Sequence, residues 1–152
     1  MVEGGQDADG AVFIGYHARA GSRQAVMDHT ISGAQVHNWR MNGQAVSEAE
    51  INAALLGFYG VPVLMASGDD RLADEIQERL PGVATMIVKY ALDHRAERSN
   101  PRAEVFRGIR ETCRAAVMAV SKAPVFRLRG PVTFELEFTR SFYAETAALM
   151  PT

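Results

Sequence analysis

Four histidines carry most of the chemical capacity of this 152-residue sequence, and His17 has the most informative position among them. It directly follows the apolar run at 11–16, and such a run is typical of a buried strand. In open α/β sheets, ligands bind at the carboxyl ends of the strands, and imidazole is the commonest metal ligand in proteins. His17 therefore indicates either a ligand site or a structural histidine whose ring is hydrogen-bonded.

His29 and Glu48 are two further candidates, and each also has an ordinary structural explanation. His29 lies in a Met-Asp-His-Thr segment after a polar loop, where a surface histidine would be common. Glu48 follows Ser47, and the helix dipole favours an acidic residue in the first turn of a helix. The same position could also direct the carboxylate towards a metal ion bound over the sheet. Residue types alone therefore predict a metal or acid–base site without deciding between these explanations.

Other catalytic motifs are absent from the sequence. It contains no glycine-rich phosphate loop, no Gly-x-Ser-x-Gly elbow and no His-Glu-x-x-His zinc motif. Cys113 is the one cysteine. It has no evident activating partner and is typical of a small buried residue in a helix. The spacing from His17 to His29 and Glu48 matches no compact metal motif, so motifs leave the three candidates undecided.

The strands that would position these residues are of two kinds. Nearly continuous apolar runs are typical of strands that are buried on both faces. Strict alternation of apolar and charged residues is typical of a half-exposed strand at a sheet margin. Residues 36–41 end at an Asn-Gly pair, which is the strongest short-range hairpin signal. Strands are predicted at 11–16, 36–41, 61–66, 83–88 and, by alternation, 132–138.

Three helices are predicted between these strands. Ser47 and Glu50 have the spacing of a capping box, Asp69 has the position of an N-cap, and residues 102–120 have helical composition. Strands that alternate with helices predict an α/β fold in which a mainly parallel sheet is flanked by helices. The face that the first helix is expected to bury comprises Ile51, Ala54, Leu55 and Phe58.

Composition limits the class of protein. Hydrophobic residues make up 47% of the chain, which is enough for one α/β domain over residues 1–152. The net charge of −2 comes without a basic stripe, so nucleic acid is not an expected partner. No apolar run reaches the roughly 20 residues that span a bilayer. One cysteine fits a reducing compartment, so we expect a cytoplasmic protein without a membrane partner.

An ordered set of segments is more specific than any single motif. The segments are Phe-Ile-Gly-Tyr-His-Ala-Arg-Ala at 13–20, Val-Met-Asp-His-Thr at 26–30, Asn-Gly-Gln-Ala-Val-Ser-Glu at 42–48, Ile-Asn-Ala-Ala-Leu-Leu-Gly-Phe-Tyr-Gly-Val-Pro-Val-Leu-Met at 51–65, Gly-Asp-Asp-Arg at 68–71, Leu-Pro-Gly-Val-Ala-Thr at 80–85 and Val-Lys at 88–89. Together they resemble the zinc-dependent D-aminopeptidase family, which is typified by a bacterial dipeptide-operon enzyme. The resemblance covers residues 1 to about 90 closely and extends more loosely to 152.

This resemblance implies a function and a role for each candidate residue. It implies a metallopeptidase that removes D-residues from the amino end of short peptides and assembles as a homo-oligomer. The family site holds two zinc ions. By their places in the segments, His17 and Glu48 correspond to zinc ligands of the family, and His29 corresponds to its proposed catalytic residue.

The resemblance also implies that part of the site lies outside this sequence. The remaining family ligands come from an Asp-x-Glu segment and an Asn-Asp-Ser-His-like segment, and the sequence contains neither. We therefore expect a fragment of the catalytic domain, truncated at both ends, that lacks the amino-terminal half and is weak or inactive alone. The alternative is a non-catalytic α/β module that derives from the family and serves in assembly or regulation.

Overall fold

A computed structural model describes residues 2–150 of the chain. No helix in that range is both long enough and apolar enough to cross a bilayer. The elements in chain order are β1 (Ala11–Ile14), β2 (Val36–Met41), β3 (Gln44–Ala45), α1 (Glu48–Phe58), β4 (Val63–Asp69), α2 (Asp70–Arg79), β5 (Ala84–Asp93), β6 (Ala96–Ser99), α3 (Arg102–Met118), β7 (Phe134–Phe138) and α4 (Ser141–Ala147).

The larger sheet has the strand order β1-β4-β5-β6. Strands β1, β4 and β5 run parallel to one another, and β6 runs antiparallel to β5. Side chains of α1 and α2 share one apolar cluster with those of β1 and β4, and α3 lies against β4 and β5. The predicted α/β fold, with a mainly parallel sheet flanked by helices, is confirmed.

A second sheet, which the sequence did not indicate as separate, joins β3, β2 and β7. All of its pairings are antiparallel. Asn42 and Gly43 form the tight turn between β2 and β3, with φ angles of 52° and 78°, as a two-residue type I′ turn requires. Within residues 2–150, β7 pairs with β2 alone and is an edge strand, in agreement with its alternating pattern. Met41 of this sheet packs against Val46, which lies two residues before α1.

The capping box predicted for α1 is present. The Glu50 backbone amide donates to Ser47 Oγ at 3.3 Å, and the Ser47 amide donates to Glu50 Oε2 at 2.9 Å. The other oxygen of Glu50 pairs with Arg79 Nε at 3.0 Å, at the end of α2. These bonds fix where α1 begins, and they therefore hold Glu48 in its first turn.

The buried face of α1 agrees with the prediction in part. Ile51 is 6% exposed, whereas Leu55 and Phe58 are 46% and 78% exposed. The core cluster instead receives Ala49, Ala53 and Leu56. Both sets recur at helical spacing, so the apolar pattern alone could not decide which face would meet the sheet.

The hairpin of β5 and β6 was missed by the sequence prediction. β5 continues to Asp93, and β6 returns from Ala96 to Ser99. The charged composition of this stretch carries no apolar strand signal, and all four residues of β6 are exposed. The hydrogen bonds between β6 and β5 hold this stretch in an extended conformation.

A substitution at Gly57 tests how closely α1 packs against the backbone of Phe126. A Cβ at this position would overlap the carbonyl oxygen of Phe126. Alanine is favoured over glycine in a helix by about 1 kcal/mol. We nevertheless expect Gly57→Ala to lower the free energy of unfolding by about 2 kcal/mol, because rigid backbone must move to admit the methyl group. Urea denaturation measures this change.

Gly108→Ala on α3 is the matched control. A Cβ there would meet only the flexible end of the Met86 side chain, which can rotate away. We expect its free energy of unfolding to equal the wild-type value or to exceed it by up to about 1 kcal/mol, because alanine is the better helix former. Equal losses at the two positions would contradict the close packing of α1.

Candidate active site

His17 lies in the turn that leaves the carboxyl end of β1. The Gly15 and Tyr16 amides both donate to the Ser67 carbonyl oxygen at 3.0 Å, and the positive φ of Gly15, 74°, redirects the chain. The Nδ1 atom of His17 lies 2.9 Å from the carbonyl oxygen of Val26. A carbonyl can only accept, so Nδ1 carries the proton and Nε2 keeps a lone pair for a ligand.

His29 lies beside His17, although the two are separated along the chain. The His29 amide donates to the Ala18 carbonyl at 3.3 Å, so the two segments run side by side. The imidazole rings have centroids 4.9 Å apart. The Nδ1 atom of His29 donates to the Met27 carbonyl oxygen at 2.6 Å. This ring, like that of His17, therefore keeps Nε2 as an acceptor in its neutral form.

Glu48 lies beside His29, where residues 17–31 (the histidine loop) meet the start of α1. Thr30 Oγ1 donates to the carbonyl oxygen of Val46 at 3.0 Å, which ties the histidine loop to the start of α1. The Ile31 amide then donates to Glu48 Oε2 at 3.1 Å, and His29 Nε2 lies 3.4 Å from the same oxygen. The three residues singled out from the sequence therefore share one partly exposed site.

Two residues that flank His29 have strained backbones. Met27 and Ile31 have φ angles of 51° and 66°, a region that side-chain-bearing residues rarely adopt, least of all β-branched isoleucine. Met27 supplies the carbonyl that orients His29, and Ile31 supplies the amide that binds Glu48. Such strain typically clusters at functional sites.

Asp69 has two roles: it forms the predicted cap of α2, and it holds the histidine loop in place. Its Oδ1 accepts from the Leu72 amide at 2.8 Å, which caps α2 as the sequence indicated. Its Oδ2 accepts from the Val26 amide at 2.7 Å. The carboxyl group is 1% exposed. Since Val26 also provides the carbonyl that binds His17, Asp69 positions that imidazole through one intervening residue.

Tyr16 and Asn52 belong to the same neighbourhood, and the sequence prediction missed them. Asn52 Nδ2 donates to the Tyr16 hydroxyl oxygen at 2.9 Å. Burial raises the pKa of Tyr16, and the negative charge of Glu48 raises it further, while the bond to Asn52 opposes the rise. Asn52 follows Glu48 by one helical turn, and that spacing is the signal that could have found it.

The tip of the β5–β6 hairpin supports the loop from outside. His94 Nδ1 lies 2.6 Å from Asp28 Oδ1, and the Met27 amide donates to the His94 carbonyl oxygen at 2.9 Å. Asp28 also accepts from the Gly21 amide at 2.8 Å. The hairpin therefore holds the two residues that directly precede His29, and Asp28 links them to Gly21 within the loop.

Glu75 on α2 anchors the segment that follows His17. It accepts from the Arg19 amide at 3.0 Å and from the Ser22 hydroxyl. Burial raises the pKa of Glu75, and these hydrogen bonds oppose the rise. Arg19 is therefore engaged with Glu75 at the rim of the loop.

The donor set of the site is partly suited to zinc. An imidazole Nε2 and a carboxylate are both common zinc ligands, but a catalytic zinc normally has three protein ligands. Among residues 2–150, no group of three His, Cys, Asp or Glu side chains is disposed to hold a metal ion. A catalytic zinc ion held by His17 and Glu48 would therefore need ligands beyond these residues.

Comparison with known protein families shows to which family this chain belongs. Residues 1–152 match the family model described as D-aminopeptidase. The chain belongs to the D-aminopeptidase family. The family resemblance seen in the sequence is thereby confirmed.

Two matches come from Bacillus subtilis, one to a protein sequence and one to a solved structure. The D-aminopeptidase of strain 168 is 38% identical over 152 residues, which is 99% of this chain and 55% of that protein. A solved structure described as the Zn-dependent D-aminopeptidase DppA, a self-compartmentalizing protease, matches with a TM-score of 0.87 and 35% identity. That match covers 96% of this chain and 53% of the other. The chain thus spans about half the length of the relatives it matches.

Asp69→Asn tests the anchoring of the histidine loop. Asparagine keeps one acceptor oxygen but turns an amide group towards the other donor, so either Val26 or Leu72 loses its bond. We expect the free energy of unfolding to fall by about 2 kcal/mol, since a buried amide is left without an acceptor. We also expect the ¹⁵N shifts of His17 to show a mixture of ring tautomers.

Asp74→Asn is the matched control, because Asp74 lies on the same helix with its side chain 67% exposed. Its stability should stay within about 0.5 kcal/mol of the wild-type value, and its His17 shifts should not change. A single Nδ1-protonated tautomer of His17 in Asp69→Asn would contradict the positioning role.

Proposed function

We propose that this chain carries part of the active site of a zinc-dependent D-aminopeptidase, which hydrolyses amino-terminal D-residues from short peptides. The observation that carries the proposal is the convergence of His17, His29 and Glu48, with His29 Nε2 3.4 Å from Glu48 Oε2 and the two rings 4.9 Å apart. Membership of the D-aminopeptidase family supports it, as does the zinc dependence of the structural neighbour.

His17 and Glu48 are proposed as the metal ligands. Bound Zn²⁺ would polarise a carbonyl group and make water nucleophilic near neutral pH. The Val26 carbonyl holds the His17 ring in the tautomer that leaves Nε2 available, and the Ile31 amide orients the Glu48 carboxylate. We propose two zinc ions in the complete site, with the other ligands supplied by residues outside 1–152.

His29 is proposed as the catalytic residue. Its Nδ1 proton is held by the Met27 carbonyl, so Nε2 can accept a proton and return it during attack or during departure of the leaving amine. The side chain of His29 is 25% exposed, which allows a peptide to reach it.

A non-catalytic module is the second candidate function. It is favoured by one observation, that residues 2–150 contain no group of three metal-binding side chains. Such a module would keep the fold and the loop geometry but would not hydrolyse peptides. Zinc binding and turnover distinguish the two candidates.

The test combines zinc titration calorimetry with release of D-alanine from D-alanyl-D-alanine. We expect weak zinc binding and slow, zinc-dependent release by the 152-residue chain, because two ligands hold zinc less firmly than three. His17→Ala and Glu48→Gln should each lower zinc affinity at least tenfold (~1.4 kcal/mol). His29→Gln should leave zinc affinity within about twofold and lower the rate about 100-fold.

His37→Gln is the matched control, because it removes an exposed imidazole on β2 and should change neither quantity. L-Alanyl-L-alanine tests the stereochemical preference. An unchanged rate in His29→Gln would overturn the catalytic assignment. Zinc binding without any release by the wild-type chain would favour the non-catalytic module.

We also propose that the protein assembles as a homo-oligomer. The exposed face of α1 presents Leu55 and Phe58, followed by Tyr59, which is 49% exposed. Clustered apolar side chains of this kind mark interaction surfaces. Light scattering coupled to size-exclusion chromatography should give a mass several times the 16.6 kDa of one chain. A mass of one chain at micromolar concentration would contradict the proposal.

A further inference from the structure

A pocket of about 420 Å³ opens beside the candidate site. His17 belongs to its wall, and the pocket extends from there along the carboxyl ends of the parallel strands, past Gly68 and Lys89, to the first turn of α3. Its volume lies in the range of small-molecule sites. A ligand in this pocket would therefore contact the same histidine that the proposed function uses.

The charges in the pocket leave one cation without a counter-charge. Lys89 Nζ pairs with Glu97 Oε2 at 2.9 Å. Lys89 and then the Ser99 hydroxyl lower the pKa of Glu97 by hydrogen bonding, so Glu97 stays ionised and keeps Lys89 occupied. Arg102 also lines the pocket. Within residues 2–150 it has no acidic partner within salt-bridge distance.

The backbone at this end of the pocket also favours an anion. α3 begins at Arg102, and no side chain caps its first amides because Pro101 occupies the N-cap position. The first turn of a helix carries partial positive charge, and Arg102 and Val105 of that turn both line the pocket. The guanidinium of Arg102 stacks over Phe106 at 5.1 Å, which limits the positions it can adopt.

We propose that this pocket binds the terminal carboxylate of the peptide substrate, and that Arg102 is the residue that recognises it. The proposal rests on the proposed function, since it places the bond to be cleaved near His17. In a dipeptide the carboxylate lies one residue, about 3.5 Å, beyond that bond. A planar guanidinium is well matched to a carboxylate because it can donate two parallel hydrogen bonds. The substrate class is therefore short peptides with a free carboxyl end.

The test compares D-alanyl-D-alanine with D-alanyl-D-alaninamide, which differ only in that carboxylate. Both are titrated into the ¹⁵N-labelled chain with EDTA present, so that zinc does not contribute, and the amide shifts of Ser99 and Val105 are followed. We expect the acid to bind about tenfold more tightly than the amide. Arg102→Gln should abolish this difference and leave the affinity for the amide unchanged.

Two further variants complete the test: a control at another arginine, and a substitution that keeps the charge of Arg102 but removes its paired donors. Arg98→Gln is the matched control, because Arg98 also stacks on an aromatic ring, that of Tyr90 at 4.8 Å, but does not line the pocket. It should keep the full tenfold preference for the acid. Arg102→Lys should keep part of that preference, because the charge remains and the paired donors are lost.

Equal affinity of the wild-type chain for acid and amide, or no binding of either, would overturn the pocket proposal. Complete displacement of the dipeptide by an equal concentration of acetate would also overturn it, because that result indicates a site for any small anion. None of these outcomes bears on the proposed peptidase chemistry, which is tested by zinc binding and by His29→Gln. Retention of the preference by His29→Gln would show that the pocket acts independently of catalysis.

Discussion

A buried carboxylate at the end of β4 (Val63–Asp69) holds the candidate site together. Asp69 accepts the amide of Leu72 at the start of α2 and the amide of Val26 in the loop between the two histidines. A buried charge is costly unless its oxygens are hydrogen-bonded, so the loop has little freedom to leave this carboxylate. One side chain thereby connects the central strand of the sheet, a helix and the segment that carries the imidazoles.

The two imidazoles are oriented by consecutive backbone carbonyls. Val26 supplies the acceptor for His17, and Met27 supplies the acceptor for His29. Both rings therefore carry the proton on Nδ1 and keep a lone pair on Nε2 in their neutral form. The strained backbone of Met27 accompanies this arrangement, because an extended segment would direct neighbouring carbonyls to opposite sides. The loop geometry thus sets the orientation of both imidazoles and does not merely connect the elements.

The parallel sheet explains why the site and the neighbouring pocket lie together. The turns that leave β1 (Ala11–Ile14), β4 and β5 (Ala84–Asp93) meet at one edge of the sheet, where polar side chains are free of the core. His17 stands at the boundary between the three-residue site and the pocket that ends at Arg102. The hairpin tip at His94 closes the outer side of the histidine loop. The loop is therefore supported from both the core and the surface.

The sequence by itself determined the local features. The capping box at Ser47, the turn at Asn42 and the cap at Asp69 each depend on residues within four positions of one another, and family resemblance singled out the residues of the site. Tertiary structure alone decided the rest. The face of α1 (Glu48–Phe58) that is buried, the second bond of Asp69 to Val26, and the separate antiparallel sheet depend on partners far apart in the chain. Their geometry follows from how the elements pack, and packing is a property of the whole chain that no short segment encodes.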